Sequence, residues 1–488
     1  MMIRSSLLTG VGFFLACLVW LSGGCNRPVD AVIHPAAGSA TARVLLPGSR
    51  LRAGDTARVP GKPAPQDVSP TAPLPQDDTA DDSAESKWYR GNLHTHSLWS
   101  DGDDFPEMIT RWYADHGYHF LAMTDHNILA RGERWMDAEA IEDRGGQTCI
   151  PKYEEVFADS LVRTRVEDGK KQYRLTPLEE YRQHFEEPGR FLLLEGEEVS
   201  DSVEGLPVHL NATNLTELLQ PTGGASVREA LDNNLRLAAE QANRTGGMIL
   251  MHVNHPNFGW AITAEDLAAV TRARFFEAYN GHNSVNHRGD EQRASVERIW
   301  DIVNTLRIDK LNGPPLLGLA TDDSHYYHGR PGSHPGRGWI MVQSDELTPR
   351  ALLQAIMAGR FYASSGVTLS DVDFDADDGQ LSLQIEGQPD VSYTTRFIGT
   401  RRGYDWQSQP QTDDDNQPVS GTRQYSEEIG AVLATDTSLN PVYRMTGDEV
   451  YVRAVITSSR PHPDPSFTGQ TEQAWTQPVV GKENRQQD

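Results

Sequence analysis

The stretch Gly91-Asn92-Leu93-His94-Thr95-His96-Ser97-Leu98-Trp99-Ser100-Asp101-Gly102 constrains this chain more than any other. Read as a strand that runs into a polar turn, it carries His94 and His96 two residues apart, so both imidazoles project from one face. Asp101 follows on a Ser-Asp-Gly turn, where Gly102 permits a sharp bend. Two imidazoles and a carboxylate at one place are three donors for a borderline divalent cation such as Zn, Mn or Fe. A strand whose histidines merely satisfy hydrogen bonds accounts for the pair alone equally well. The two readings separate on whether further ligand-type residues stand at other strand ends.

They do. Residues 118–124 read as a strand running into Asp125-His126-Asn127, and 191–194 as one opening into Glu195-Gly196-Glu197-Glu198. Val208-His209-Leu210 follows after a short loop. Residues 248–252 end in Asn254-His255-Pro256, 274–279 in Asn280-Gly281-His282, and 315–320 in Thr321-Asp322-Asp323-Ser324-His325. Helical spacing lies between them over 105–116, 225–244, 290–306 and 347–358, the first with Asp103 or Asp104 as N-cap and Gly117 as stop. Strands that alternate with helices and each end in polar residues describe a parallel β/α architecture with its site at the C-terminal strand ends. Residues 128–190 are too long and polar for an ordinary connection and read as an insertion over the site with helical pieces. After about residue 370 short alternating strands appear between Gly, Asp, Pro and Asn turns, which predicts a small antiparallel β-domain of sandwich type, its last strand packed by Ala474-Trp475-Thr476-Gln477-Pro478.

The N-terminus reads as a secretory signal: Arg4, an apolar run over 7–21, then Ser22-Gly23-Gly24-Cys25. The cysteine after Gly24 resembles a bacterial lipobox, with its leucine one position further upstream than usual. The expectation is an exported lipoprotein, periplasmic or at the cell surface and anchored through Cys25; an ordinary signal peptide and an uncleaved anchor are the alternatives. Residues 26–86, rich in Pro, Ala, Asp, Thr and Ser without periodicity, read as a disordered linker. A net charge of −25, from 44 basic and 69 acidic residues, argues against nucleic-acid or anionic-membrane binding. With Cys17 in the signal and Cys25 as the lipid site, Cys149 is the one remaining thiol, so the fold must rely on its core and on bound metal.

The clusters name nine candidate ligands: His94, His96, Asp101, His126, Glu198, His209, His255, Asp323 and His325. The order and spacing of His-Thr-His with Ser-Asp-Gly, Thr124-Asp125-His126, Gly196-Glu197-Glu198-Val199, His209, His255-Pro256 and Asp323-Ser324-His325 resemble the PHP family, named for polymerase and histidinol phosphatase. The resemblance spans about 87–366 and is closest to the carbaryl-hydrolase-like branch. It implies a distorted seven-stranded β/α barrel with up to three divalent metals, Zn, Mn or Fe. Carried over, His94, His96, Glu198 and Asp323 hold one metal, Glu198, His209 and His255 the second, and Asp101, His126 and His325 the third, with Glu198 bridging. A carboxylate bridge holds two cations close, and their joint charge acidifies a shared water to hydroxide at neutral pH.

The family spacing also selects Glu198 over Glu197, His255 over His252 and Asp323 over Asp322. Asp125 is expected to orient an imidazole, and His116, His119, His184 and His282 to be ordinary surface or core histidines. Arg330, Arg337, Tyr326 and His328 follow the last motif and could reach a substrate. The expected organisation is a signal at 1–25, a linker at 26–86, a PHP-like domain at 87–368 and a β-domain with a flexible tail at 369–488. The function implied is metal-dependent hydrolysis of a small-molecule phosphate ester, with Glu198, Asp323 and His325 at the reacting centre. A carbamate, ester or amide hydrolase on the same metals is the alternative enzyme, and a surface binding protein that has kept the fold without the chemistry is the non-catalytic one.

Overall fold

The computed structural model describes residues 87–413 and 415–481, all within one compact unit, Thr79–Asp488. The signal segment, Cys25 and the linker lie outside the described residues. No helix among the described residues is long and apolar enough to cross a membrane.

The chain is mixed α/β. β1 (Lys87–Asn92) leads through α1 (Pro106–Asp115) to the wholly buried β2 (Phe120–Met123). β3 (Leu192–Val203) turns into β4 (Leu206–Thr213), and α2 (Val227–Thr245) leads to β5 (Leu250–Val253). α3 (Ala264–Ala269), β6 (Phe275–Asn280), α4 (Val296–Thr305) and β7 (Leu317–Thr321) follow. Then come β8 (Trp339–Ser344), α5 (Pro349–Met357) and β9 (Phe361–Ser364).

The helix ends obey local chemistry. The N-cap of α1 is Phe105, not Asp103 or Asp104 as expected, because Pro106 takes the first helical position, where a missing N–H costs nothing. Asp104 Oδ1 instead accepts from the Phe105 amide at 2.8 Å. The Ser226 side chain caps α2 by accepting from the Glu229 amide, and Gly246, at φ 70°, ends it.

β1, β2 and β3 pair in parallel, as do β5, β6 and β7. β4 does not fit the expected parallel grammar: it is antiparallel to both β3 and β5. The reason is local. Val203 pairs with Leu206 across the two-residue turn Glu204-Gly205, both at positive φ, and such a turn closes a hairpin. The insertion holds, besides three helices (Ala138–Gly145, Cys149–Phe157, Leu178–Phe185), an unexpected sheet of Trp135–Asp137, Thr164–Glu167 and Lys170–Arg174. Its hairpin turns at Asp168-Gly169, again both at positive φ. Tyr153, Tyr173 and Tyr181 of the insertion share a buried core with Phe105, which caps α1, and with Ile109 of α1.

The C-terminal region contributes β10 (Leu369–Asp375), β11 (Gln380–Ile385), β12 (Tyr393–Arg401), β13 (Ala431–Asp436), β14 (Val442–Arg444), β15 (Glu449–Pro461) and β16 (Thr471–Trp475). β10, β11 and β14 form a separate sheet, whose Leu369, Leu381 and Leu383 share a core with Phe397, Val452 and Ile456. The remaining strands do not stop at residue 368. β16 pairs with β9, so one 13-stranded sheet runs β7-β6-β5-β4-β3-β2-β1-β8-β9-β16-β15-β12-β13. Trp475, expected only to pack against the last strand, is itself a strand residue opposite Ala363.

Candidate metal centre

The nine candidate ligands converge. His94 and His96 leave β1, Asp101 sits on the following turn, and His126 follows β2. Glu198 and His209 are diagonal neighbours across the β3–β4 hairpin, where His209 pairs with Ser200 and Glu198 with Asn211; His255 follows β5, and Asp323 and His325 follow β7. Glu198 is the hub. Its carboxylate lies 3.0 Å from His209, 2.8 Å from His126, and 3.4 Å from both His96 and His255. His94 stands 3.2 Å from Asp323 Oδ1, and His96 3.3 Å from the same atom. Asp101 receives His126 at 3.5 Å and His325 at 3.4 Å. His126 presents one ring nitrogen to Glu198 and the other to Asp101, so it joins two of the three expected groups. Asp101 is half exposed while His94, His96 and Glu198 are buried, so the centre opens to solvent on the Asp101 side. His255 and Asp323 hold left-handed φ values of 21° and 48°, a backbone strain typical of functional positions.

The donor set fits divalent cations by a count of lone pairs. His94 Nδ1 is committed to Glu277 Oε1 at 2.6 Å, which leaves its Nε2 as a lone pair. That Nε2 faces Nε2 of His96 at 3.1 Å. Two ring nitrogens at this separation meet through a shared proton or through a cation held among the carboxylate oxygens around them. Glu198 Oε2 is buried with no hydrogen bond of good geometry. The groups His94–His96–Glu198, His126–Glu198–His209 and His96–Asp101–His126–His325 each have the span of a cation's ligands.

Without a cation the electrostatics divide the imidazoles: burial pulls on His94, but Asp323, Glu277 and Glu198 outweigh it and raise it well above the ordinary imidazole value. Burial, with His325 and His126 beside it, pulls His96 down to about 3, so it is a neutral imidazole with a free lone pair. Burial pulls on His126 too, but the Glu198 and Asp101 carboxylates outweigh it and push it up to about 11. Burial would raise Glu198 and Asp323, yet the surrounding imidazoles hold both well below the usual carboxylate range. Both are therefore charged.

Around these groups stands a shell that sequence reasoning missed. Glu277, the one charge in the wholly buried strand β6, also accepts from the His255 amide at 2.8 Å and from Thr321 Oγ1 at 2.7 Å. Asn254 donates to Glu198 at 2.7 Å, and Asn280 to Asp323 at 3.0 Å. A lone acid inside an apolar strand was the available signal for Glu277. His282, read as an ordinary histidine, packs its ring 5.5 Å from that of His325.

The neighbours sort by their partners. Glu197 points away, accepts from the Leu219 amide at 2.6 Å, and is pushed by burial up to about 7. Glu195 pairs with Arg131 at the surface. Asp322 takes the Tyr113 hydroxyl and three amides of Gly336, Arg337 and Gly338, so it ties the chain together without reaching the centre. Asp125 binds Ser97 and Ser100 and holds the loop behind His96; none of its partners is an imidazole. Arg337 is buried against Asp464, Asn283 and the Gly281 carbonyl and cannot reach a substrate. Arg330 donates to the Asp143 carbonyl on the insertion.

No family model matches the chain, and no curated protein does. Among solved structures it is similar to a two-domain protein of Bacteroides vulgatus ATCC 8482 that contains a predicted PHP-like metal-dependent phosphoesterase. That likeness has a TM-score of 0.34 and 14% identity, and covers 80% of this chain and 95% of the other. It is also similar to a proposed metal-dependent phosphoesterase of Bifidobacterium adolescentis ATCC 15703, at a TM-score of 0.26 and 14% identity, covering 51% of this chain and 92% of the other.

Proposed function

We propose that this chain is a PHP-type metal-dependent hydrolase acting on phosphate esters. The observation that carries the reading is the convergence of the nine candidate ligands, with Glu198 at the hub and imidazole nitrogens turned toward one another. Cations held there would bind a phosphoryl oxygen and lower the pKa of a water between them. The chain's own part is to present them correctly. Glu198 offers charge to two imidazole groups at once, while Asn254 fixes its rotamer. Glu277 keeps the His94 proton on Nδ1, so Nε2 faces inward. Ser100, held by Asp125, does the same for His96, whose Nδ1 lies 3.4 Å from the Ser100 hydroxyl. Asn280 orients Asp323, and His325 closes the Asp101 side beside the solvent opening.

The distorted seven-stranded barrel is part of this reading. It is supported by the bridge from Thr95 to Ser324, which joins the segment after β1 to the segment after β7. A shared apolar cluster of Leu93, Phe120, Leu194, Leu250, Phe275 and Leu319 also supports it. We further place the protein outside the cytoplasm, anchored through lipid on Cys25, from the signal-like sequence. Release of a Cys25→Ala variant from the membrane fraction is the expected result; unchanged processing and fractionation would remove the lipoprotein reading.

The test of function is a panel of phosphomonoesters, phosphodiesters and carboxyl esters with Mn, Zn and Fe. Phosphoester turnover that tracks metal content is the expected outcome. Turnover of carbonyl substrates alone would move the reaction to ester or amide hydrolysis, and a stable, metal-free, inert protein would leave a binding protein.

A further inference from the structure

The geometry points to an additional, thiolate-containing metal site, built from Cys149, Asp104 and His328 and separate from the Glu198 centre. Asp104 Oδ2 lies 3.3 Å from His328 Nε2, and Cys149 Sγ lies 3.6 Å from Asp104 Oδ1. One donor atom from each residue falls within a common span of 4.8 Å. With Zn–N and Zn–O distances of about 2.0–2.2 Å and Zn–S of about 2.3 Å, the edges of a tetrahedral site come to roughly 3.3–3.6 Å. Two separations match such edges, one from each Asp104 oxygen, and the third, between Cys149 and His328, lies within 4.8 Å.

A second observation is independent of the distances. The His328 side chain is only 5% exposed, its Nδ1 makes no hydrogen bond, and its Nε2 meets only the Asp104 carboxylate, without good hydrogen-bond geometry. Cys149 is fully buried, and Asp104 nearly so. Burial and the neighbouring Asp104 push the thiol pKa up, so without a cation the sulfur keeps its proton. When a divalent cation binds, the S–H bond is lost to solvent as a proton and a sulfur–metal bond forms, with no change of oxidation state. One sulfur, one nitrogen and one oxygen select a borderline cation such as Zn over Mg or Ca.

The three donors come from three segments. Asp104 follows Asp101 by three residues, His328 follows His325 by three, and Cys149 opens the insertion helix Cys149–Phe157. An ion here would fasten the insertion to the two loops that carry Asp101 and His325.

Cobalt reconstitution of the full chain tests this directly. The Glu198 centre offers only nitrogen and oxygen, so a thiolate-to-cobalt charge-transfer band reports on a cysteine alone. The band is expected in the wild type and in Glu198→Gln. It should be absent from Cys149→Ser, together with one metal ion per chain. His328→Gln, which keeps the thiol, should lose or weaken the band and provides the same test should Cys149→Ser fold poorly. A wild-type chain with cobalt at the Glu198 centre and no band would overturn the site. So would a band that survives Cys149→Ser, because it would then come from Cys17 or Cys25.

Discussion

Two buried ionic clusters in this molecule are built on opposite logic. Beneath the C-terminal strands, Asp301 accepts from Arg453 Nε and Nη2 at 2.7 Å each and from the Tyr451 hydroxyl at 2.7 Å. Opposite charges meet donor to acceptor, and the carboxylate needs nothing more. Around Glu198 many ligand-type groups crowd one place: imidazoles stand 2.8–3.6 Å from its carboxylate, and His94 Nε2 faces His96 Nε2 at 3.1 Å. Burial of charge is common to both and so does not mark function. The crowding of ligand-type groups does, because imidazoles and carboxylates packed together in a dry place hold protons when empty and can exchange them for a cation.

The largest effect that separates them is on stability. Arg453→Met keeps bulk but leaves Asp301 buried without its cation, which should cost ~3–5 kcal/mol. Urea denaturation reads the loss, and metal content should stay at the wild-type value. If metal leaves as well, the clusters are coupled and the comparison fails.

Next comes the hub. Glu198→Gln preserves shape and removes the charge shared by several imidazoles. At least one metal should be lost, and turnover should fall roughly 100-fold or more, about 2.7 kcal/mol of barrier. Elemental analysis beside steady-state rates checks both; full metal content in this variant would shift the hub to another carboxylate.

Glu277→Gln sharpens the contrast between ligand and support. Removing the carboxylate that fixes the His94 tautomer should weaken metal affinity roughly 10–100-fold while saturating metal restores occupancy. A competition titration with a chelator dye measures it, and an unchanged affinity would reduce Glu277 to a packing residue.

The smallest effect is at Glu197, the neighbour that faces away. Its carboxyl is raised from 4.5 to about 7 by burial, so across that window the folded chain holds a proton that the unfolded chain has released. Stability therefore falls as pH rises through the window. Glu197→Gln should abolish this slope and gain ~1–2 kcal/mol at pH 8 with no gain at pH 4. Unfolding midpoints at the two pH values are the check, and metal loss in this variant would mean that the motif is displaced by one residue.

Much of the site was legible in the sequence because its residues lie on strands or just past strand ends, where the period of two dictates facing. Glu198 and Glu197 illustrate this: adjacent on β3, they point to opposite faces, one to the centre and one to the Leu219 amide. The hairpin of β4 was also written in the chain, as Glu204-Gly205 between Val203 and Leu206, but a two-residue turn is easily read as a loop. Glu277 was harder. A single acid in Phe275-Phe276-Glu277-Ala278-Tyr279-Asn280 says that something compensates it and does not say what.

By itself, the sequence determined which residues carry ligand chemistry, in what order, and on which side of each strand, because residue type and strand periodicity are local properties. Tertiary structure alone decided the rest. It set Glu277 behind His94 and Asp125 behind the loop of His96. It brought Asp104, Cys149 and His328 together, and it continued the sheet through β9 and β16. These are meetings of segments tens to hundreds of residues apart. The chain closes those distances only by collective burial, which no local pattern encodes.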